Sequence, residues 1–153
     1  GPFSYGTKMK MNWLTAPRKP YYPSYTNPFA EGDSKIFEVP VSAFVAPYIT
    51  TTMRIAPSFF DKLEDFLFRE AKRRQSPLVF LTHPNECVFE TPSSHWTSNG
   101  LISLFRDKIR TKLKLKNLGI KNIKGIEKSL SKAKDNEFEF LSLKSFQKNW
   151  SDS

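Results

Sequence analysis

The chain has 153 residues, of which 39% are hydrophobic, and a formal charge of +9 at pH 7. This length suits one domain with a buried core, and no apolar run or leader pattern in it predicts a membrane span or a signal peptide. Cys87 is the only cysteine. An internal disulfide and a thiolate-rich zinc site are therefore excluded.

The first 34 residues carry no helical or strand period. Residues 1–2, Gly-Pro, resemble the remnant of a cleaved purification tag. Residues 3–34 are rich in proline and aromatic residues, which predicts an extended but ordered loop. Its rings include Trp13, Tyr21 and Tyr22. Such half-polar rings suit either stacking on sugar faces or packing against a neighbouring core, and both alternatives stay open.

A strand and then a helix are predicted next. Residues 35–42 read as a strand, and Pro40 places it at an edge, at a bulge or at its own end. Residues 58–75 show the period of an amphipathic helix, with Ser58 as its capping residue and Glu64 on the polar side. The predicted apolar face consists of Phe59, Leu63, Phe66, Leu67 and Ala71.

The segment 77–86 predicts a buried strand that ends in a histidine. Four consecutive apolar residues, 78–81, lie between two prolines, and continuous apolarity favours a central parallel strand covered on both faces. His83 follows directly, at the end of the strand where α/β enzymes keep their chemistry. The alternative is a structural histidine that bonds a loop carbonyl.

The second half of the chain is basic. Residues 101–150 contain 13 Lys and Arg against 5 Asp and Glu. This excess suits an anionic polymer, although a solvated helix face has the same composition. Helices are predicted near 101–115 and 123–133, followed by a short strand at 137–141 and a closing helix at 143–150. Strands that alternate with helices predict an α/β fold.

Several of these stretches together resemble the C-terminal half of the polysaccharide deacetylase family. They are Glu-Val-Pro-Val-Ser at 38–42, the proline-led helix, Pro-Leu-Val-Phe-Leu-Thr-His-Pro-Asn-Glu at 77–86 and Phe-Glu-Phe-Leu-Ser-Leu-Lys-Ser-Phe at 138–146. The resemblance covers roughly residues 16–150. It implies that residues 35–153 form the C-terminal portion of a partial (β/α) barrel, preceded by the extended N-terminal loop.

The resemblance also implies roles for particular residues. His83 matches the family's late histidine, which acts as general acid in the hydrolysis of N-acyl groups on sugars. Leu81 matches an apolar residue that lines the acyl pocket. Arg18, in Arg-Lys-Pro-Tyr, resembles the arginine that orients the catalytic base. Tyr21, Tyr22 and Trp13 are candidates for contacting the substrate.

The family's metal-binding motifs do not occur in this chain. The paired-Asp segment and His-x-x-x-His are missing, and the chain has only two histidines. We therefore predict no metal ligand here and an inactive isolated chain. The complete enzyme would take a divalent metal, with zinc favoured, on an N-terminal half in the same protein or in a second chain.

Three hypotheses follow from the sequence, and the last of them is a structural subunit that keeps the family fold without its chemistry. The first is the C-terminal part of a metal-dependent carbohydrate deacetylase, a hydrolase of amide bonds that needs its N-terminal half. The alternative is a non-catalytic module that binds glycans through its aromatic loop or polyanions through its basic helices. Nucleic acid is not the partner that we expect.

Overall fold

The computed structural model describes residues 16–88, 112–113 and 115–151. Four α-helices are defined in that part: α1 (Thr50–Ile55), α2 (Pro57–Arg74), α3 (Ile120–Asp135) and α4 (Leu143–Ser151). A 3-10 turn, Pro84–Cys87, lies between α2 and α3. Trp13 and most of the helix predicted near 101–115 lie outside the described residues. None of the described helices is long and apolar enough to cross a membrane.

Helix α2 confirms the helix predicted over 58–75. Pro57 occupies its first turn, where a fixed φ is favourable and the missing N–H costs no hydrogen bond. The N-cap is Ala56, so the predicted capping role of Ser58 is wrong. At the other end, Gln75 adopts the left-handed conformation with φ 49° and stops the helix.

The core forms against one face of α2. Phe60 is 2% exposed and stacks on the ring of Tyr48, with 5.2 Å between ring centroids, whereas Phe59 is 41% exposed. Placing Phe59 on the buried face was therefore wrong, because adjacent helix residues point about 100° apart. The buried cluster comprises Tyr48, Met53, Phe60, Leu63, Leu67, Phe68 and Ala133.

Glu64 is buried in this core. The sequence pattern predicted it on the polar side of α2, and that prediction is wrong. It is 1% exposed, and its carboxylate accepts hydrogen bonds from Tyr48 (2.6 Å) and Ser129. Lys132 of α3 forms an ion pair with it at 2.9 Å. Burial, the hydrogen bond to Glu64 and the charge of Glu64 raise the pKa of Tyr48. These partners make a buried carboxylate tolerable and join α2 to α3.

The three predicted strands do not form regular strands in the described part of the chain, where pairing is limited to isolated bridges. Residues 35–42 have one antiparallel bridge, between Glu38 and Tyr21. Residues 77–86 have one parallel bridge, between Leu81 and Ile49. Residues 137–141 have none. Among the described residues each segment lacks a partner on at least one edge, and a sheet needs paired neighbours to form a ladder.

The C-terminal helices agree with the sequence pattern. Helix α3 includes the predicted 123–133 and adds residues at both ends, and α4 matches the predicted 143–150 with one more residue. Gly119 precedes α3 with φ 65°, a backbone conformation that residues other than glycine rarely adopt. In α4, Phe146 lies between Phe37 and Trp150, with ring centroids 6.3 and 5.7 Å away.

Candidate functional site

His83 lies at the end of an extended segment that is held along one edge. In residues 76–83, the amide of Val79 bonds Ser42 Oγ (2.9 Å), and its carbonyl accepts the Ser42 amide (3.1 Å). The amide of Leu81 donates to Tyr48, and its carbonyl accepts from Thr50. His83 follows in an extended conformation, with an exposed side chain. Within the described residues the imidazole makes no hydrogen bond or ion pair.

Directly after His83 lies a buried polar cluster centred on Glu86. This residue is 7% exposed, and its carboxylate accepts hydrogen bonds from Thr50, from Thr51 (2.7 Å) and from Arg54 (2.5 Å). Arg54 is 5% exposed and Thr50 is fully buried. A buried carboxylate needs this number of donors, since burial without them costs several kcal/mol.

The Glu86 cluster extends to the segment that leads into α3. Arg54 Nη1 donates to the carbonyl of Lys116 (2.6 Å), and the side chain of Asn117 donates to the carbonyl of Arg54 (2.8 Å). The amide of Gly119 donates to the carbonyl of Glu86 (3.0 Å). Helix α1, the 3-10 turn and the start of α3 are therefore connected through one set of polar contacts.

The Glu86 cluster makes stability depend on pH in a definite direction. Burial raises the pKa of Glu86, but hydrogen bonds from Arg54, Thr50 and Thr51 outweigh it and leave the pKa below its ordinary value of 4.5. A carboxyl group whose pKa is lowered on folding stabilises the fold above its unfolded-state pKa, and that contribution is lost as the pH falls through the folded-state value.

We therefore expect the free energy of unfolding to fall as the pH drops below about 4.5, and Glu86→Gln to flatten this part of the profile. Urea unfolding at a series of pH values measures it. The matched control is Glu139→Gln, the same change at an exposed glutamate, which should retain the wild-type slope. Parallel profiles for wild type and Glu86→Gln would contradict the assignment.

The other predicted site residues lie in different surroundings. Leu81 is 40% exposed, two residues before His83. Tyr21 is buried and donates its hydroxyl to the carbonyl of Pro28 (2.8 Å), which is a packing role in the loop. Tyr22 is 37% exposed and lies 5.3 Å from the ring of Phe37.

Arg18 contacts α2. Its guanidinium forms an ion pair with Glu70 (2.8 Å) and donates to the carbonyl of Ala43. It lines a cavity of about 510 Å³ between α2 and the segments 16–19 and 41–47. None of Arg18, Tyr21 and Tyr22 forms a hydrogen bond or a ring contact with His83 in the part of the chain that is described.

Within the described ranges, no group of three or more His, Cys, Asp or Glu side chains could hold a metal ion. The buried carboxylates illustrate why: Glu86 is surrounded by Arg54 and two threonines, and Glu64 by Lys132, Tyr48 and Ser129. Cationic and hydroxyl donors occupy these carboxylates, so neither cluster suits a divalent cation. The described residues thus do not fit the metal that the family resemblance implies.

An apolar groove of about 480 Å³ borders the other edge of the extended segment. The backbone groups of Val79 and Leu81 bond towards residues 42–50, whereas those of Leu78 and Phe80 form no hydrogen bond with any described residue. Across the groove lie residues 138–141, where the amide of Phe138 donates to Ala133 and the other three amides have no partner among the described residues. Within the described part of the chain, both sides of the groove therefore present backbone groups without a partner.

Arg54, Thr50 and Thr51 were not predicted from the sequence to be part of a site. Their only signal is a hydroxyl pair followed by an arginine at the spacing of one helical turn, and many surface helices show the same pattern. Glu86, by contrast, was close to the predicted site, three residues after His83.

Comparison with known proteins gave no match. No family model fits the chain, and no curated protein and no solved structure is significantly similar to it.

Proposed function

We propose that this chain is the C-terminal part of a metal-dependent carbohydrate deacetylase, completed by an N-terminal half that holds the metal. The proposal is carried by one observation: the imidazole of His83 is exposed and forms no hydrogen bond with the described residues, and it lies at the end of an extended segment, directly before an anchored turn. The resemblance of residues 38–42, 77–86 and 138–146 to that family supplies the reaction class.

His83 has the chemistry that the reaction needs. Hydrolysis of an amide on a sugar leaves an amine, which departs readily only when its nitrogen gains a proton. A histidine side chain titrates near neutral pH and is therefore the usual proton donor for such a step. In this proposal His83, as imidazolium, gives its proton to the departing nitrogen, and Leu81 borders the acyl group.

The open edge of residues 78–80 supports the expectation of a missing half. The backbone groups of Leu78 and Phe80, which have no hydrogen-bond partner among the described residues, border an apolar groove, and an edge of this kind is a template for further strand pairing. Exposed apolar side chains on neighbouring segments, among them Ile36, Phe44 and Val45, would be covered in a completed barrel. The α/β barrel itself remains part of this proposal.

The test is to complete the chain. The protein carrying both halves should release acetate from an N-acetylated glucosamine oligosaccharide, lose this activity in chelator and regain it with added zinc, whereas the chain alone should release none. An acetate assay and metal analysis by mass spectrometry measure the outcome. A complete protein that binds no divalent metal and leaves the oligosaccharide intact would contradict the proposal.

The same samples discriminate the binding-module alternative. Binding of the chain alone to an acidic oligosaccharide with a steep dependence on salt would favour polyanion recognition. The described lysines of α3 are partly committed to intramolecular pairs, since Lys128 contacts Asp61 and Lys132 contacts Glu64 and Asp65. This reduces the basic surface available to an anionic polymer, so the deacetylase hypothesis is preferred.

A further inference from the structure

The amide and the carbonyl of Glu86 both form hydrogen bonds that hold the turn after His83 in place. Its amide donates to the carbonyl of His83 (2.9 Å), which closes the turn, and its carbonyl accepts the amide of Gly119 (3.0 Å). The turn is therefore fixed to Gly119, the residue that precedes α3. Since the imidazole has no hydrogen bond of its own within the described residues, its position depends on this backbone.

The side chain of Glu86 fixes the same turn to α1. Thr50 and Thr51, at the start of the helix, and Arg54, one turn later, all donate to its carboxylate. The guanidinium of Arg54 also reaches the carbonyl of Lys116 (2.6 Å), so one arginine spans from the turn to the segment before α3.

Stability alone explains a buried ion pair poorly. Burying two charges costs several kcal/mol per ion, and apolar residues of the same volume often stabilise a protein equally well. A buried pair can supply a defined geometry, because charge-assisted hydrogen bonds add geometric specificity as well as energy. Here the geometry that is defined is that of the three residues following His83.

We propose that the Arg54–Glu86 pair is a positioning pair for His83: it acts through the backbone of the 3-10 turn to hold the imidazole where the leaving nitrogen will be. The inference rests on the proposed function, since His83 must be the proton donor for its placement to matter. Proton transfer and near-attack geometry are sensitive to displacements of about 1 Å, which can cost about 100-fold in rate.

The test uses Glu86→Gln, which keeps the side-chain shape and removes the charge. In the protein carrying both halves, we expect kcat on an N-acetylated glucosamine oligosaccharide to fall about 10- to 100-fold while KM changes less than about threefold. In the chain alone, exchange of the Glu86 and Gly119 amides with solvent should accelerate by about tenfold or more, as measured by NMR. Arg54→Lys, which keeps the charge but not the two-pronged donor, should give an intermediate loss of kcat.

The matched control is Glu64→Gln at the other buried carboxylate, which shares none of its described partners with Glu86. It should lower stability and leave kcat unchanged, with the turn amides still protected. Unaltered exchange in Glu86→Gln, or faster exchange with unaltered kcat, would overturn the inference. If the complete wild-type protein is inactive, the proposed function fails; if it is active and Glu86→Gln is equally active, only the positioning role fails.

Discussion

Replacing His83 by alanine in the protein that carries both halves should lower kcat by about 10²- to 10⁴-fold, with little change in KM. The imidazole would donate a proton only as the carbon–nitrogen bond breaks, so its loss removes an interaction made in the transition state and not in the bound substrate. Steady-state kinetics on an N-acetylated glucosamine oligosaccharide measure both constants.

Stability should not change with His83→Ala. The side chain is exposed and forms no hydrogen bond in the described part of the structure, so its removal breaks no hydrogen bond there. Equal midpoints of thermal unfolding for wild type and variant would separate a lost proton donor from a lost fold. The comparison variant is His95→Gln, at the chain's other histidine, for which we expect wild-type kinetics. A His83→Ala enzyme with wild-type kcat would rule out the general-acid role.

The helices were predictable because their signal is local. Apolar residues at spacings of three and four identify α2, α3 and α4, and the observed bounds of α2 differ from the predicted ones by one residue at each end. Which residues of α2 face the core was predicted wrongly at Phe59. Phe59 and Phe60 are adjacent and chemically identical, and only the packing of Tyr48 and Phe80 against one of them shows which ring is buried.

The buried carboxylates could not be predicted from the local pattern. Glu64 and Glu86 both look like surface residues, because their partners are distant in sequence: Ser129 lies 65 residues from Glu64, and Thr50 lies 36 residues from Glu86. In a periodic sequence pattern every charged residue is expected at the surface. Pairs between residues far apart in sequence form only when the chain folds and leave no trace in that pattern.

The extended segments show a related limit. The apolar run 78–81 was predicted to be a buried central strand, but residues 78–80 are half-buried, Leu81 is 40% exposed and the run forms no regular strand. Its position before His83 was visible in the sequence. Its pairing was not, since bonding to residues 42–50 is a non-local event, and the opposite edge has no partner among the described residues. The candidate site was therefore located at His83 from the sequence, whereas the contacts that anchor it came only from the structure.

Replacing Arg54 by leucine should destabilise the chain by about 3–5 kcal/mol, because it leaves the carboxylate of Glu86 buried with only two hydroxyl donors. The double variant Arg54→Leu with Glu86→Leu removes both charges and should recover a large part of this loss, since no uncompensated charge remains. Urea unfolding of the two single variants, the double variant and wild type gives the coupling free energy directly.

A single variant Arg54→Leu that costs less than about 1 kcal/mol, or a double variant that loses the sum of the two single changes, would show that the two side chains are not energetically coupled. Because the turn after His83 is fixed by the same carboxylate, strong coupling in this cycle is also the condition under which the pair can hold the imidazole in place.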